Sequence, residues 1–185
     1  MKKAVPLLLA LGLALFGCNK FPGYSVETNS GASGATATKG PAPDFDLENI
    51  AGGKTKAADL KGKVLVVDFW ATWCEPCIAE IPKFNRMSDE YKGKNVEVVG
   101  IAVESAHDDI KPKVKETGMK YTVLVGNDTV VDGFGGLIGF PTTFVVTKDW
   151  KIYKKYMGAL RDKDVRIKKD IEKLLAAEDS ANNAD

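Results

Sequence analysis

Seven residues, Val64-Leu65-Val66-Val67-Asp68-Phe69-Trp70, make an apolar run interrupted by one acid, and Cys74-Glu75-Pro76-Cys77 follows almost at once, ahead of a segment with helical spacing. A run this uniformly apolar predicts a strand covered on both faces, so the chain is constrained to a layered sheet with a strand-to-helix turn at the two thiols. At a helix start, unpaired backbone N–H groups and the positive end of the peptide dipole favour a thiolate on the first cysteine. Cysteines three apart on a helical turn lie about 5–6 Å apart, within the range a disulfide needs. The pair can open and close without refolding the chain, which makes it a candidate redox pair.

At 185 residues, with 44% apolar and 28% charged content, the chain has room for one ordinary domain plus appendages. Lys2 and Lys3 precede Val5–Phe16, an apolar run broken by Pro6 and Gly12 that is too short to cross a bilayer and has the form of a secretory h-region. It ends Leu15-Phe16-Gly17-Cys18, which resembles the bacterial lipoprotein cleavage box. That resemblance implies removal of residues 1–17 and a lipid on Cys18, which would anchor the exported chain to a bacterial membrane with its domain in the periplasm or another extracytoplasmic space. Loss of Lys2 and Lys3 turns a formal charge of +1 into −1, with 24 basic against 25 acidic residues, which gives no electrostatic footprint for nucleic acid. Three thiols in an exported protein leave one unpaired; with Cys18 lipidated, Cys74 and Cys77 are left to pair.

Residues 18–40 hold the candidate lipidated cysteine and a segment rich in Gly, Ser, Ala, Thr and Asn, expected to be a flexible tether. The folded domain is expected over 41–178, with 179–185 a frayed polar tail. Strand-like runs fall at Val64–Trp70, Val96–Val103, Tyr121–Val125, Thr143–Thr147 and Ile152–Met157, and weaker ones near Phe45–Leu47 and Lys54–Ala58. Helical spacing links Cys77 or Ile78, Ile81, Phe84, Ser88 and Tyr91, then Ala106–Thr117, then Ile167, Ile171, Leu174 and Leu175. Alternating strands and helices predict an α/β fold. Pro82 falls inside the first helix, where it removes a donor and kinks the axis, unless the helix starts only after it.

Two plainer readings of the cysteines compete with redox chemistry. A structural disulfide across so short a loop constrains the unfolded chain little. A metal site needs further ligands, and the only histidine, His107, sits in a polar stretch beside Asp108 and Asp109 and reads as a surface residue.

Val67 to Cys77, the later Pro82, and Gly139-Phe140-Pro141-Thr142-Thr143-Phe144 together resemble the thioredoxin superfamily. Ala42-Pro43-Asp44-Phe45, the Glu75-Pro76 dipeptide and Glu80-Ile81-Pro82 narrow the resemblance to the membrane-tethered TlpA/ResA-like thiol–disulfide oxidoreductases. The resemblance implies a thioredoxin-like fold, a central mixed β-sheet flanked by helices on both faces. It implies a protein-disulfide reductase that needs no cofactor beyond its redox-active disulfide. Cys74 is then the nucleophile, expected to be the more exposed sulfur, and Cys77 the resolver. Phe140-Pro141 matches the family's cis-proline loop, which with Trp73, Glu75 and Pro76 is expected to meet the substrate peptide, while Trp70 is expected in the core.

Asp68, in the apolar run, and Glu80, three residues after Cys77 on the same helix face, are both candidates to accept the proton that Cys77 must lose. Glu75 places negative charge beside the thiolate, which opposes a very low pKa and favours the disulfide. The expected potential is therefore nearer about −270 mV than about −120 mV, a couple that donates electrons. The implied partners are protein disulfides, an oxidised apocytochrome c in cytochrome c maturation among them, and a transmembrane thiol carrier as electron donor. Two other functions fit parts of the chain: a peroxiredoxin-like peroxidase, from the Ala42–Phe45 opening, and a copper-binding module using Cys74 and Cys77 as soft ligands. No sequence feature gives the oligomeric state.

Overall fold

The computed structural model describes residues 35–36 and 40–182. The expected signal peptide, Cys18, most of the tether and residues 183–185 lie outside the described residues. In chain order the elements are β1 (Ala35–Thr36), β2 (Gly40–Pro41), β3 (Asp46–Glu48), β4 (Lys54–Lys56), α1 (Ala57–Leu60), β5 (Val64–Trp70), α2 (Glu75–Glu90), β6 (Val96–Ala102), α3 (His107–Thr117), β7 (Thr122–Val125), α4 (Asp128–Gly133), β8 (Thr142–Val146), β9 (Lys151–Met157) and α5 (Lys163–Asn182).

The main sheet runs β1-β9-β8-β5-β6-β7, with β2 also on β9, and β3 and β4 form a separate hairpin. β5, β6 and β7 are parallel, whereas β5, β8 and β9 are antiparallel, so the sheet is mixed. β5 lies between β6 and β8, and all seven of its residues are buried. Side chains alternate across a strand, and the alternation divides the core in two. Val64, Val66 and Trp70 pack with Cys77, Ile81, Phe84 and Met87 of α2, Ile110 of α3 and Ile167 and Ile171 of α5. Leu65, Val67 and Phe69 pack with Leu60 of α1, Val130 of α4 and Leu47 of the hairpin. On that second face Phe69, Phe134 and Phe144 form an aromatic cluster with centroids 4.9 to 5.8 Å apart. At about 1.5–3 kcal/mol for each fully buried large aliphatic or aromatic side chain, these two layers are the main stabilising term. Asp68 has the parity of Val66 and Trp70, so it faces α2.

The long strands and the three long helices fall where the periodicity places them. The structure departs from these expectations in four places. β4 stops at Lys56, and Ala57 opens α1 by turning its methyl group into the core, where a strand was expected to run to Ala58. α4 was not foreseen, although Asn127 caps it by accepting from the Val130 amide at 3.0 Å. Ala35–Thr36 and Gly40–Pro41 pair with β9, so the expected tether is already in strand pairing before its end at Gly40. α5 continues past Glu178 to Asn182, into the stretch expected to fray. α2 runs unbroken through Pro82, so the helix does not begin after that proline.

Candidate active site

β5 delivers the chain to Trp70, and the loop 71–73 turns it into α2. Cys74 is the N-cap of α2, Glu75 and Pro76 open the first turn, and the Cys74 sulfur accepts the Cys77 amide at 3.3 Å. Pro76 lacks a backbone donor at a position where that donor would have no intrahelical partner. Cys74 and Cys77 are joined as a disulfide with Cα atoms 5.3 Å apart. Cys74 keeps only 3% of its surface and Cys77 1%, so in the disulfide form both are buried and Cys74 is the more exposed by a small margin only. Glu75 and Pro76 are exposed beside it.

The loop after β6 holds the turn in place. The Thr72 amide donates to Ser105 Oγ at 2.9 Å, and Ser105 Oγ donates to the Val103 carbonyl at 3.0 Å. Trp73 Nε1 donates to the Glu104 carbonyl at 2.7 Å, and Glu104 takes φ +48° to present it. Trp73 is thus 59% exposed yet fixed at its polar edge. Its ring meets Phe140 edge-to-face at 5.6 Å, and the Phe140–Pro141 peptide is cis. Thr142 Oγ1 donates to the Gly139 carbonyl at 2.7 Å, closing that loop. Trp73 and Phe140 therefore form an apolar rim next to the cysteines. Trp70 is fully buried.

Between β5 and α2 lies a buried polar cluster. Asp68 is 2% exposed and accepts a 2.7 Å hydrogen bond from Thr143 Oγ1, its direct partner across β5 and β8. On its other side Asp68 is opposite Gly100, where a Cβ would sit 3.1 Å from the Tyr121 ring and 3.2 Å from Trp70 Nε1. The bare glycine leaves those rings room beside the acid. Burial pushes Asp68 up to about 7, with Glu80 adding to the rise, while Lys163 and the Thr143 bond oppose it. Glu80 is buried too, and burial pushes its carboxyl upward, against the pull of Lys163 and Lys83.

Sequence reading missed Lys163, at the first turn of α5. Its ammonium lies 2.5 Å from Glu80 Oε2, with the side chains 1% and 6% exposed. The contact is an ion pair without the alignment of a hydrogen bond, and both atoms stand without a hydrogen-bond partner among the described residues. The short separation governs all the same, because charge attraction depends on distance rather than angle. Ser105 and Glu104 were also missed, since nothing in a Glu-Ser dipeptide signals a clamp on a distant loop. His107 is exposed and contacts Glu48 and Asp108 at 3.1 and 3.4 Å. Among the described residues no cluster of His, Cys, Asp and Glu has the arrangement to hold a metal, and no helix is long and apolar enough to cross a membrane.

Residues 38–155 match the model of the AhpC/TSA family. The thiol-disulfide oxidoreductase ResA of a Bacillus cereus strain is 34% identical over 117 residues, covering 63% of this chain and 68% of the relative. ResA of Bacillus subtilis (strain 168) is 29% identical over 163 residues, covering 88% and 90%. The crystal structure of a thiol:disulfide interchange protein of the thioredoxin family from Chlorobium tepidum TLS matches with a TM-score of 0.67 at 29% identity, over 76% of this chain and 99% of that one. The mixed sheet with helices on both faces agrees with the structural match. The chain belongs to the AhpC/TSA family and is a thioredoxin-like thiol–disulfide oxidoreductase of the ResA type.

Proposed function

We propose that this oxidoreductase works outside the cytoplasm, lipid-anchored through Cys18, as a reductase of protein disulfides. The observation that carries the reading is the Cys74–Cys77 disulfide at the N-terminus of α2, on the helix that carries buried Glu80, next to the strand that carries buried Asp68, and beside an apolar rim. In the reduced protein the Cys74 thiolate attacks a substrate disulfide, forming a mixed disulfide and releasing one substrate thiolate. Cys77 then gives its proton to a carboxylate of the Asp68/Glu80 pair, and its thiolate attacks the Cys74 sulfur. The second substrate thiolate leaves, so the substrate gains two electrons and the protein regains its disulfide. The dipole and amides at the α2 terminus favour the Cys74 thiolate.

Glu75, in the first turn of α2 next to Cys74, supports the reducing direction, because its charge disfavours a very acidic thiol. Trp73, Phe140 and Pro141 suit an extended peptide with apolar side chains. An apocytochrome c with oxidised haem-binding cysteines fits this chemistry, and a transmembrane thiol carrier would return the electrons. Cys77→Ser tests the assignment: its stalled mixed disulfides should capture substrate proteins through Cys74, whereas Cys74→Ser should capture none. Equilibration with glutathione tests direction, and a potential above about −180 mV would reverse it.

A further inference from the structure

We propose that Lys163 is the positioning residue of this site: its buried ammonium, delivered by α5 and set against Glu80, decides when Asp68 and Glu80 are ready to take the proton that Cys77 gives up. The inference rests on the acceptor roles just proposed and adds the group that controls them. A lysine 1% exposed is an expensive thing to bury, and its direct contact is with a carboxylate three residues after the resolving cysteine. The cation does not belong to the helix that carries the cysteines, nor to the strand that carries Asp68.

The surroundings leave Lys163 with a narrow set of charges to act on. From α2 come Glu80 and Lys83, and Lys83 is occupied by Asp164 at 3.2 Å and by the Arg161 carbonyl at 3.1 Å. From β5 comes Asp68, tied to Thr143 of β8. The Tyr121 phenol, just before β7, is buried near both acids. The Phe84 ring lies 5.8 Å from the Lys163 ammonium and adds a favourable cation–π contact. Among the cations just named, Lys163 is thus the one whose direct partner is one of the two buried candidate acceptors, and its field also reaches Asp68. A positive charge so placed holds both acids in their proton-accepting form at a lower pH than burial alone would allow.

Infrared-detected titration of the full-length oxidised protein tests this, with the Asp68 carboxyl band identified by its loss in Asp68→Asn. In Lys163→Met the Asp68 midpoint should rise by at least about one pH unit, a tenfold change in proton affinity, and Lys163→Arg should restore most of it. An unmoved midpoint in folded Lys163→Met overturns the proposal, as does a folded Lys163→Arg that behaves like Met. Should Lys163→Met not fold, Glu80→Gln is compared with Glu80→Gln/Lys163→Met, where both charges of the contact are gone. The double variant must titrate Asp68 at the higher pH, and equal midpoints overturn the proposal. The pH dependence of mixed-disulfide resolution by Cys77 separates the two readings: a midpoint that moves while the acid limb of the rate stays fixed overturns the acceptor roles and, with them, this control. An unmoved midpoint removes only the part given to Lys163.

Discussion

Asp68 and Thr143 face each other across β5 and β8, and the Thr143 hydroxyl donates a 2.7 Å hydrogen bond to the Asp68 carboxylate in a site where both residues are buried. The pair puts an ionisable group at the centre of the sheet and gives it a fixed side-chain donor.

That acid should govern how stability varies with pH. The folded chain holds the Asp68 proton up to about 7, whereas the unfolded chain releases it near 3.8. The folded state therefore binds more protons between those values, and stability is fullest below about 4 and falls as pH rises through about 7. The gap corresponds to roughly 4 kcal/mol. Urea unfolding of the oxidised protein should show Asp68→Asn close to wild type at pH 4 and more stable than it at pH 8. Parallel stability curves across that range would contradict the burial argument.

Removing the donor should have the opposite effect. Thr143→Val keeps the shape of the side chain but leaves the carboxylate without its hydroxyl, so stability at pH 8 should fall by about 1–3 kcal/mol. The Asp68 midpoint should rise further, because the Thr143 bond holds it down. Urea unfolding and the infrared titration read the two effects separately.

Trp73→Ala should separate docking from chemistry. The ring is mostly exposed, so its loss should change stability by less than about 1 kcal/mol. As half of the apolar rim with Phe140, it should matter to a protein substrate, with kcat/KM falling about tenfold, or about 1.4 kcal/mol of binding. Reduction of a small aliphatic disulfide should stay within about twofold of wild type. Equal losses on both substrates would place Trp73 in the reaction itself.

Glu104→Gly should stabilise the protein. Glu104 is exposed, sits at φ +48° and serves Trp73 through its carbonyl, which glycine retains. Glycine adopts that conformation without the Cβ penalty, and the expected gain is about 0.5–1 kcal/mol by thermal or urea unfolding. A loss would mean that the Glu104 side chain carries a role of its own.

Much of the fold was legible in the sequence because its central elements are long and strongly periodic. β5 and α2 carry seven and sixteen residues, and the cysteines sit at their junction, so strand, turn and helix could be placed from one stretch. The thioredoxin-like mixed sheet followed from the resemblance. The short elements were harder: α1 and α4 span only four and six residues, too few for a period to show. β1 and β2 pair through backbone groups that any composition supplies. Within the site, Asp68 and Glu80 stood out by position, one in an apolar run and one on the cysteine face of a helix. Lys163 did not, because Arg161-Asp162-Lys163-Asp164 reads as a solvated helix start, and only the docking of α5 against α2 turns its third residue inward. The near-complete burial of Cys74 was equally hidden, since it depends on how neighbouring loops pack around the turn.

The Glu80–Lys163 contact joins a segment made midway through synthesis to one made near its end. A nascent chain emerging N-terminus first presents Cys74, Cys77 and both acids well before the balancing ammonium exists. The buried ion pair beside this redox centre is therefore complete only once the final helix has been made and has docked.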